Sequence, residues 1–235
     1  CSGVFFRVLS HDVPLFESYA HKITGMTASI SDVRSVVSQT FPQSLNELKD
    51  LVRIPSVSWS SFDPEQVARS AQAVSDLLAG TNLFEDVFIL RSQKSDSKEL
   101  GQPAVVARRN PAPGMPTVLL YAHHDVQPPG DLAMWESSPF EPEERSGRLH
   151  GRGAADDKAG IMAHVTSLRL LPELVENVEL GIVVFIEGEE EAGSDSFENF
   201  LAENRDDLAA DLIIVADSGN WTTEIPALTT SLRGV

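Results

Sequence analysis

Histidines and carboxylates in this sequence stand where apolar runs end, and a folded sheet collects such ends. In Tyr121-Ala-His-His-Asp-Val, the run 117–122 leads straight into two histidines and an aspartate. An extended backbone sends His123 and Asp125 to one side and His124 to the other. His123 then suits a neutral imidazole ligand, and Asp125 the carboxylate that orients it. Polar residues closing an ordinary strand are the plain alternative. Gly151-Arg-Gly-Ala-Ala-Asp-Asp-Lys-Ala-Gly is a glycine-flanked turn entering a helix, with Asp156 and Asp157 at the helix start. Carboxylates there cap the helix and face its positive end. Two are redundant as caps, which frees one to bridge cations. The turn lacks the Gly-Lys-Ser/Thr ending of a phosphate-binding loop, so nucleotide binding is discounted.

Phe185-Ile-Glu-Gly-Glu-Glu-Glu-Ala-Gly-Ser places four glutamates within five positions after an apolar strand. Solvent or cations must relieve their repulsion. A solvated acidic loop is one solution. The other is a glutamate that binds metal beside one that acts as general base on a metal-bound water, whose pKa falls to about 7. In Ile213-Ile-Val-Ala-Asp-Ser-Gly, Asp217 closes another apolar run. Open α/β sheets bind ligands beyond the carboxyl ends of their strands, so these four ends converge if the strands share a sheet. A donor set of imidazole and carboxylate without cysteine suits zinc, manganese or cobalt better than Mg²⁺ or Ca²⁺.

The elements that must position these groups are legible in outline. Helical spacing over 44–52, with Ser44 as cap and Ile54-Pro55 as stop, predicts a first helix. Asp63-Pro64 opens a second over 63–78, with Val67, Ala71, Val74, Leu77 and Leu78 inward and Gly80 as terminator. Strands are predicted at 87–90, 104–107, 117–122, 178–187 and 212–216, and helices at 158–171 and 196–204. The proline- and glycine-rich stretch 127–153 reads as a long irregular connection. Alternating strands and helices imply an α/β sandwich with a mostly parallel sheet.

Composition narrows the function classes. The 235 residues, 42% of them apolar, suffice for one large core. No apolar run reaches the roughly 18 to 20 residues of a membrane span, so the chain reads as soluble. Eighteen basic against thirty-five acidic side chains leave a net charge of −17, which argues against nucleic acid and anionic membranes as partners. The single cysteine, Cys1, excludes an intrachain disulfide and a thiolate metal cluster and fits the cytoplasm. Residues 1–25 show no export signal. They read either as a native extension or as sequence upstream of a start at Met26.

The order and spacing of these motifs resemble the zinc metallopeptidase family that includes carnosinase-like dipeptidases, glutamate carboxypeptidase, aminoacylase and succinyl-diaminopimelate desuccinylase. The resemblance rests on Arg53-Ile-Pro-Ser-Val-Ser, Tyr121-Ala-His-His-Asp-Val-Gln-Pro, Trp135-Glu-Ser-Ser-Pro-Phe, His150-Gly-Arg-Gly-Ala-Ala-Asp-Asp-Lys, Glu187-Gly-Glu-Glu-Glu-Ala-Gly-Ser and Asp217-Ser-Gly-Asn-Trp. It implies a zinc-exopeptidase-like catalytic domain, a three-layer α/β sandwich around a mostly parallel mixed sheet. It also implies two divalent ions, zinc before manganese or cobalt. His123 and Asp217 would bind the first ion, Asp156 would bridge both, and Glu191 would bind the second. Glu190 would be the general base, Asp125 would orient His123, and His124 would be structural. Glu189 falls at a position the family fills variably.

Two departures stand out. Ala159 replaces a usual glycine, and no histidine follows His164, whereas the family takes the last ligand of its second ion from late in the chain. Residues 41–235 are therefore expected to be the N-terminal part of the catalytic domain behind an extension at 1–40, ending near the strand 226–233 where a lid and dimerisation domain would begin. The full-length protein would then be a homodimer, and this piece alone would turn over slowly. The dipeptidase branch is preferred. An N-acyl or N-succinyl amino acid deacylase of the same fold and a catalytically inactive metal-binding scaffold are the competing readings.

Overall fold

A computed structural model describes residues 28–220 together with 222, 225, 227 and 229. The expectations for residues 1–25, and for the run 226–233 apart from 227 and 229, lie outside the described residues. Helix α1 spans Ile30–Val52, α2 Pro64–Ala79, α3 Lys158–Leu174 and α4 Phe197–Glu203. The strands are β1 Val87–Leu90, β2 Ala104–Arg109, β3 Thr117–His123, β4 Glu143–Arg145, β5 Arg148–His150, β6 Gly181–Glu187 and β7 Leu212–Val215.

Five strands form one sheet in the order β1-β2-β6-β3-β7. β1 and β6 each pair antiparallel with β2, while β3 lies parallel between β6 and β7. Four of the five strands therefore point the same way, and the expected mostly parallel mixed sheet is what forms. Register does the positioning. Tyr121 sits opposite Phe185 on one side and Val215 on the other, and His123 sits opposite Glu187. The ends carrying His123, the acidic loop and Asp217 thus leave the sheet at one level.

Helices α1, α2 and α3 cover one face of the sheet, where Leu51, Val74, Leu78, Ile161 and Val165 pack on Val105, Ala122, Val184 and Ile186. On the other face Phe185 stacks between Phe197 and Phe200 of α4, with centroids 5.9 and 5.1 Å away. Each such ring contributes roughly 1.5–3 kcal/mol by leaving water. The result is three layers, which hold the central strand β6 completely buried.

Three sequence expectations need correction. Helix α1 starts at Ile30, where Ser29 and Asp32 form a capping box, and not behind Ser44. It runs through Pro42 with Ile30, Val37 and Phe41 exposed, so its first half lacks the inward stripe that betrays a helix. The connection 127–153 is not wholly irregular. It holds a 3-10 turn, Leu132–Met134, and the β4–β5 hairpin, whose Ser146 and Gly147 both take positive φ as a tight primed turn requires. Finally, β6 begins at Gly181 and α3 extends to Leu174.

Candidate metal centre

His123 closes β3 with its side chain wholly buried. Its Nδ1 donates to the backbone oxygen of Asp125 at 3.1 Å, and an Asp125 carboxylate oxygen stands 3.4 Å away. With Nδ1 committed, Nε2 is the atom turned to the centre. It lies 3.1 Å from Asp156, 3.9 Å from Asp217 and 4.0 Å from Glu190. His124 points the other way, into the interior, and its Nε2 donates to Pro103 O at 2.8 Å. The alternation expected of an extended backbone holds.

Asp156 and Asp157 part company. Asp156 turns its carboxylate outward to His123, and that hydrogen bond holds its pKa below the usual carboxylate range. Asp157 occupies the N-cap of α3 without making a capping bond, and instead accepts from the backbone N–H of His123 at 3.1 Å. Burial pushes its pKa up to about 8. The neighbouring Lys158 is fully buried, and its Nζ donates to Leu51 O and Ile54 O at the end of α1.

The acidic run divides by role. Glu187 accepts from Tyr121 and Ser194, and Glu189 accepts from Gln102 N, Ser196 N and Ser196 Oγ. Both are buried anchors of the loop. Glu190 and Glu191 remain half-exposed at the centre on a 3-10 turn, and both of their backbone N–H groups donate to the Asp125 carboxylate. Gln127 donates to the Glu191 carboxylate.

Donor atoms of His123, Asp156 and Asp217 lie within 4.8 Å of one another, as do those of His123, Glu190 and Glu191. Two ligands about 2.1 Å from a tetrahedral zinc ion stand roughly 3.4 Å apart, so the first group fits such an ion with small side-chain shifts. The electrostatics agree. Burial raises the pKa values of Glu190, Glu191 and Asp217, and neighbouring carboxylates raise them further. Burial opposes a charge on His123, but hydrogen bonds to Asp125 and Asp156 outweigh it and lift its pKa to about 12. Acids that crowd one another around a single imidazole are relieved by a divalent cation. All six residues read from the sequence meet here: His123, Asp125, Asp156, Glu190, Glu191 and Asp217.

Sequence reasoning missed four contributors. Asp157 and Lys158 read only as the start of a helix, Glu189 as a variable position and Ser58 as part of a motif, none of them with an assigned role. Ser58 Oγ donates to Asp125 at 2.6 Å from 67 residues away.

An α/β sandwich with a carboxylate and imidazole cluster beyond its strand ends has the build of a metal-dependent hydrolase domain. Residues 119–229 match the model of Peptidase family M20/M25/M40. Aligned stretches are 40% identical to a cysteinylglycine-S-conjugate dipeptidase of Corynebacterium striatum, over 55% of this chain and 29% of that protein. They are 30% identical to a Cys-Gly metallodipeptidase of Schizosaccharomyces pombe, over 89% of this chain and 45% of that protein. The crystal structure of human carnosine dipeptidase 1 superposes with a TM-score of 0.70 at 25% identity, over 83% of this chain and 42% of that one. The chain belongs to the M20/M25/M40 peptidase family, and it spans less than half the length of these relatives.

Proposed function

We propose that the protein hydrolyses the amide bond of dipeptides or similarly small peptides with two divalent ions, zinc by preference. His123 and Asp217 would hold one ion, Glu191 the other, and Asp156 both. When bound, the ions polarise the scissile carbonyl and make a water molecule acidic near neutral pH. The observation that carries this reading is the approach of His123 Nε2 to within 4.0 Å of carboxylates from three separate segments, Asp156, Glu190 and Asp217. Glu190 is half-buried with a raised pKa, which suits a base that takes a proton from water and returns it to the departing amine. Asp125 fixes the His123 tautomer.

The relatives named for Cys-Gly and carnosine support dipeptides as the substrate class. The family resemblance supports a homodimer for the whole protein, and the single cysteine supports a cytoplasmic setting. Metal content after dialysis tests the centre on this chain. Turnover is tested on the protein expressed from its whole gene, with Cys-Gly, β-Ala-His and Ala-Gly set against N-acetyl and N-succinyl amino acids. Glu190→Gln should lower turnover by roughly 10²- to 10⁴-fold while metal is retained. No stoichiometric metal, or full turnover in Glu190→Gln, refutes the reading. Preference for the N-acyl substrates reassigns it to a deacylase.

A further inference from the structure

The motif Arg53-Ile-Pro-Ser-Val-Ser contributes no ligand, yet it lies under the centre. Asp125 is completely buried, and its two carboxylate oxygens are fully engaged. Oδ1 accepts from Glu190 N at 3.2 Å and faces His123 Nδ1 at 3.4 Å. Oδ2 accepts from Glu191 N at 3.0 Å and from Ser58 Oγ at 2.6 Å. Three of these partners belong to the centre itself. Ser58 is the one that ties the carboxylate to another part of the fold.

That other part is well secured. The backbone at Val57 bridges to Val126, and Val126 N donates to Ser56 O at 3.0 Å. Ser56 Oγ donates to His124 O at 2.7 Å, and the Trp59 indole N–H donates to Glu191 O at 2.9 Å. Lys158 Nζ holds Ile54 O at 2.7 Å. One segment, 54–59, thus touches the end of β3, the acidic loop and the start of α3. Ser58 is 5% exposed, so solvent has little access to replace its hydroxyl.

We propose that Ser58 is a positioning residue of the metal centre: by donating to Asp125 it fixes the one carboxylate that simultaneously orients His123 and the backbone of Glu190 and Glu191. The inference rests on the proposed metal-centre reading. A buried carboxylate deprived of one strong donor turns toward its remaining partners. Any such turn moves the imidazole and the two glutamates together.

The test compares wild type with Ser58→Ala, Ser58→Thr and Ser56→Ala. In the metal-free chain, Ser58→Ala should speed amide exchange at Glu190 and Glu191 about tenfold, with β3 and β6 amides unchanged. It should also weaken Zn²⁺ binding roughly 10- to 100-fold, the usual effect of losing a group that orients a ligand. Ser58→Thr should restore both, and Ser56→Ala should lower the melting temperature without the selective exchange. If Ser58→Ala does not fold, Ser58→Cys, similar in size and a weaker donor, takes the same readouts. Exchange at Glu190 and Glu191 that is unchanged, or raised equally across the sheet, overturns the proposal. Absence of Zn²⁺ binding by the wild type would instead sink the metal reading, and the exchange data would still decide the role of Ser58.

Discussion

His123 Nε2 and Asp156 Oδ1 lie 3.1 Å apart although 33 residues separate them. Without metal this contact is a charge-assisted hydrogen bond, because the His123 pKa is lifted to about 12. A folded-state pKa above the unfolded value near 6.5 stabilises the fold fully below that value, and the gain declines as pH rises from there and is gone once pH has passed through 12. At pH 7 the imidazolium must therefore lose its proton before Nε2 can bind a cation. Calorimetric titration with Zn²⁺ in buffers of different ionisation enthalpy should show at least about one proton released, and affinity should rise with pH. Zn²⁺ at 100 times its Kd should stabilise the chain by about 2.7 kcal/mol, or roughly 5–10 °C in Tm. Asp156→Asn should abolish most of this shift. Binding without proton release would contradict the geometry.

His124 titrates in the opposite sense. Complete burial presses its pKa down to about 4. Because the unfolded chain takes up a proton near pH 6.5 and the folded one does not, stability is present above 6.5 and falls as pH drops towards 4. The loss approaches about 3 kcal/mol. Glu187 and Asp157, raised by burial to about 7 and 8, work against this by favouring the fold as pH falls. The difference between wild type and His124→Gln isolates the histidine. Urea midpoints at pH 7 and pH 4.5 should differ less in the variant, and equal differences would remove His124 as the cause.

The candidate centre is legible in the sequence because His123, the acidic run and Asp217 each follow an apolar run, while Asp156 stands out only at the start of a helix, and the register that places Tyr121 between Phe185 and Val215 needs only those runs to be strands. Its support is not. Ser58 reaches Asp125, and Lys158 reaches Leu51, across 67 and 107 residues, and no periodicity reports a single side-chain hydrogen bond at such range. Glu189 looked like any member of an acidic run until its bonds to Ser196 and Gln102 appeared. The first half of α1 stayed hidden for a different reason, because it buries almost nothing.

Lys158 offers a direct measure of that support. Its ammonium satisfies Leu51 O and Ile54 O in the interior. Lys158→Met fills much of the same volume but takes a charged donor from both carbonyls, which keep only their bonds from Ile54 N and Ser56 N, and a hydrogen bond to a charged group is worth about 1.5–3 kcal/mol. A loss of about 3 kcal/mol in denaturant unfolding of the metal-free chain is expected. A variant as stable as wild type would mean that the end of α1 is held by other contacts.

Gly160 sets two effects against each other. It lies in the first turn of α3, where alanine is favoured over glycine by about 1 kcal/mol in helix propensity. A Cβ there would run into the Asp157 carboxylate and the carbonyl oxygen of Ala216. The first of these holds the His123 backbone, and the second immediately precedes Asp217. Overpacking of this kind costs about 1–3 kcal/mol, so sterics should win. Gly160→Ala is expected to lower Tm by a few degrees and to weaken Zn²⁺ binding, since it displaces both neighbours of the centre at once. Ser167→Ala, on the exposed side of the same helix, gains propensity without a clash and should raise Tm slightly with Zn²⁺ affinity unchanged. If Gly160→Ala behaved like Ser167→Ala, the close approach of α3 to the end of β7 would not be what places Asp217.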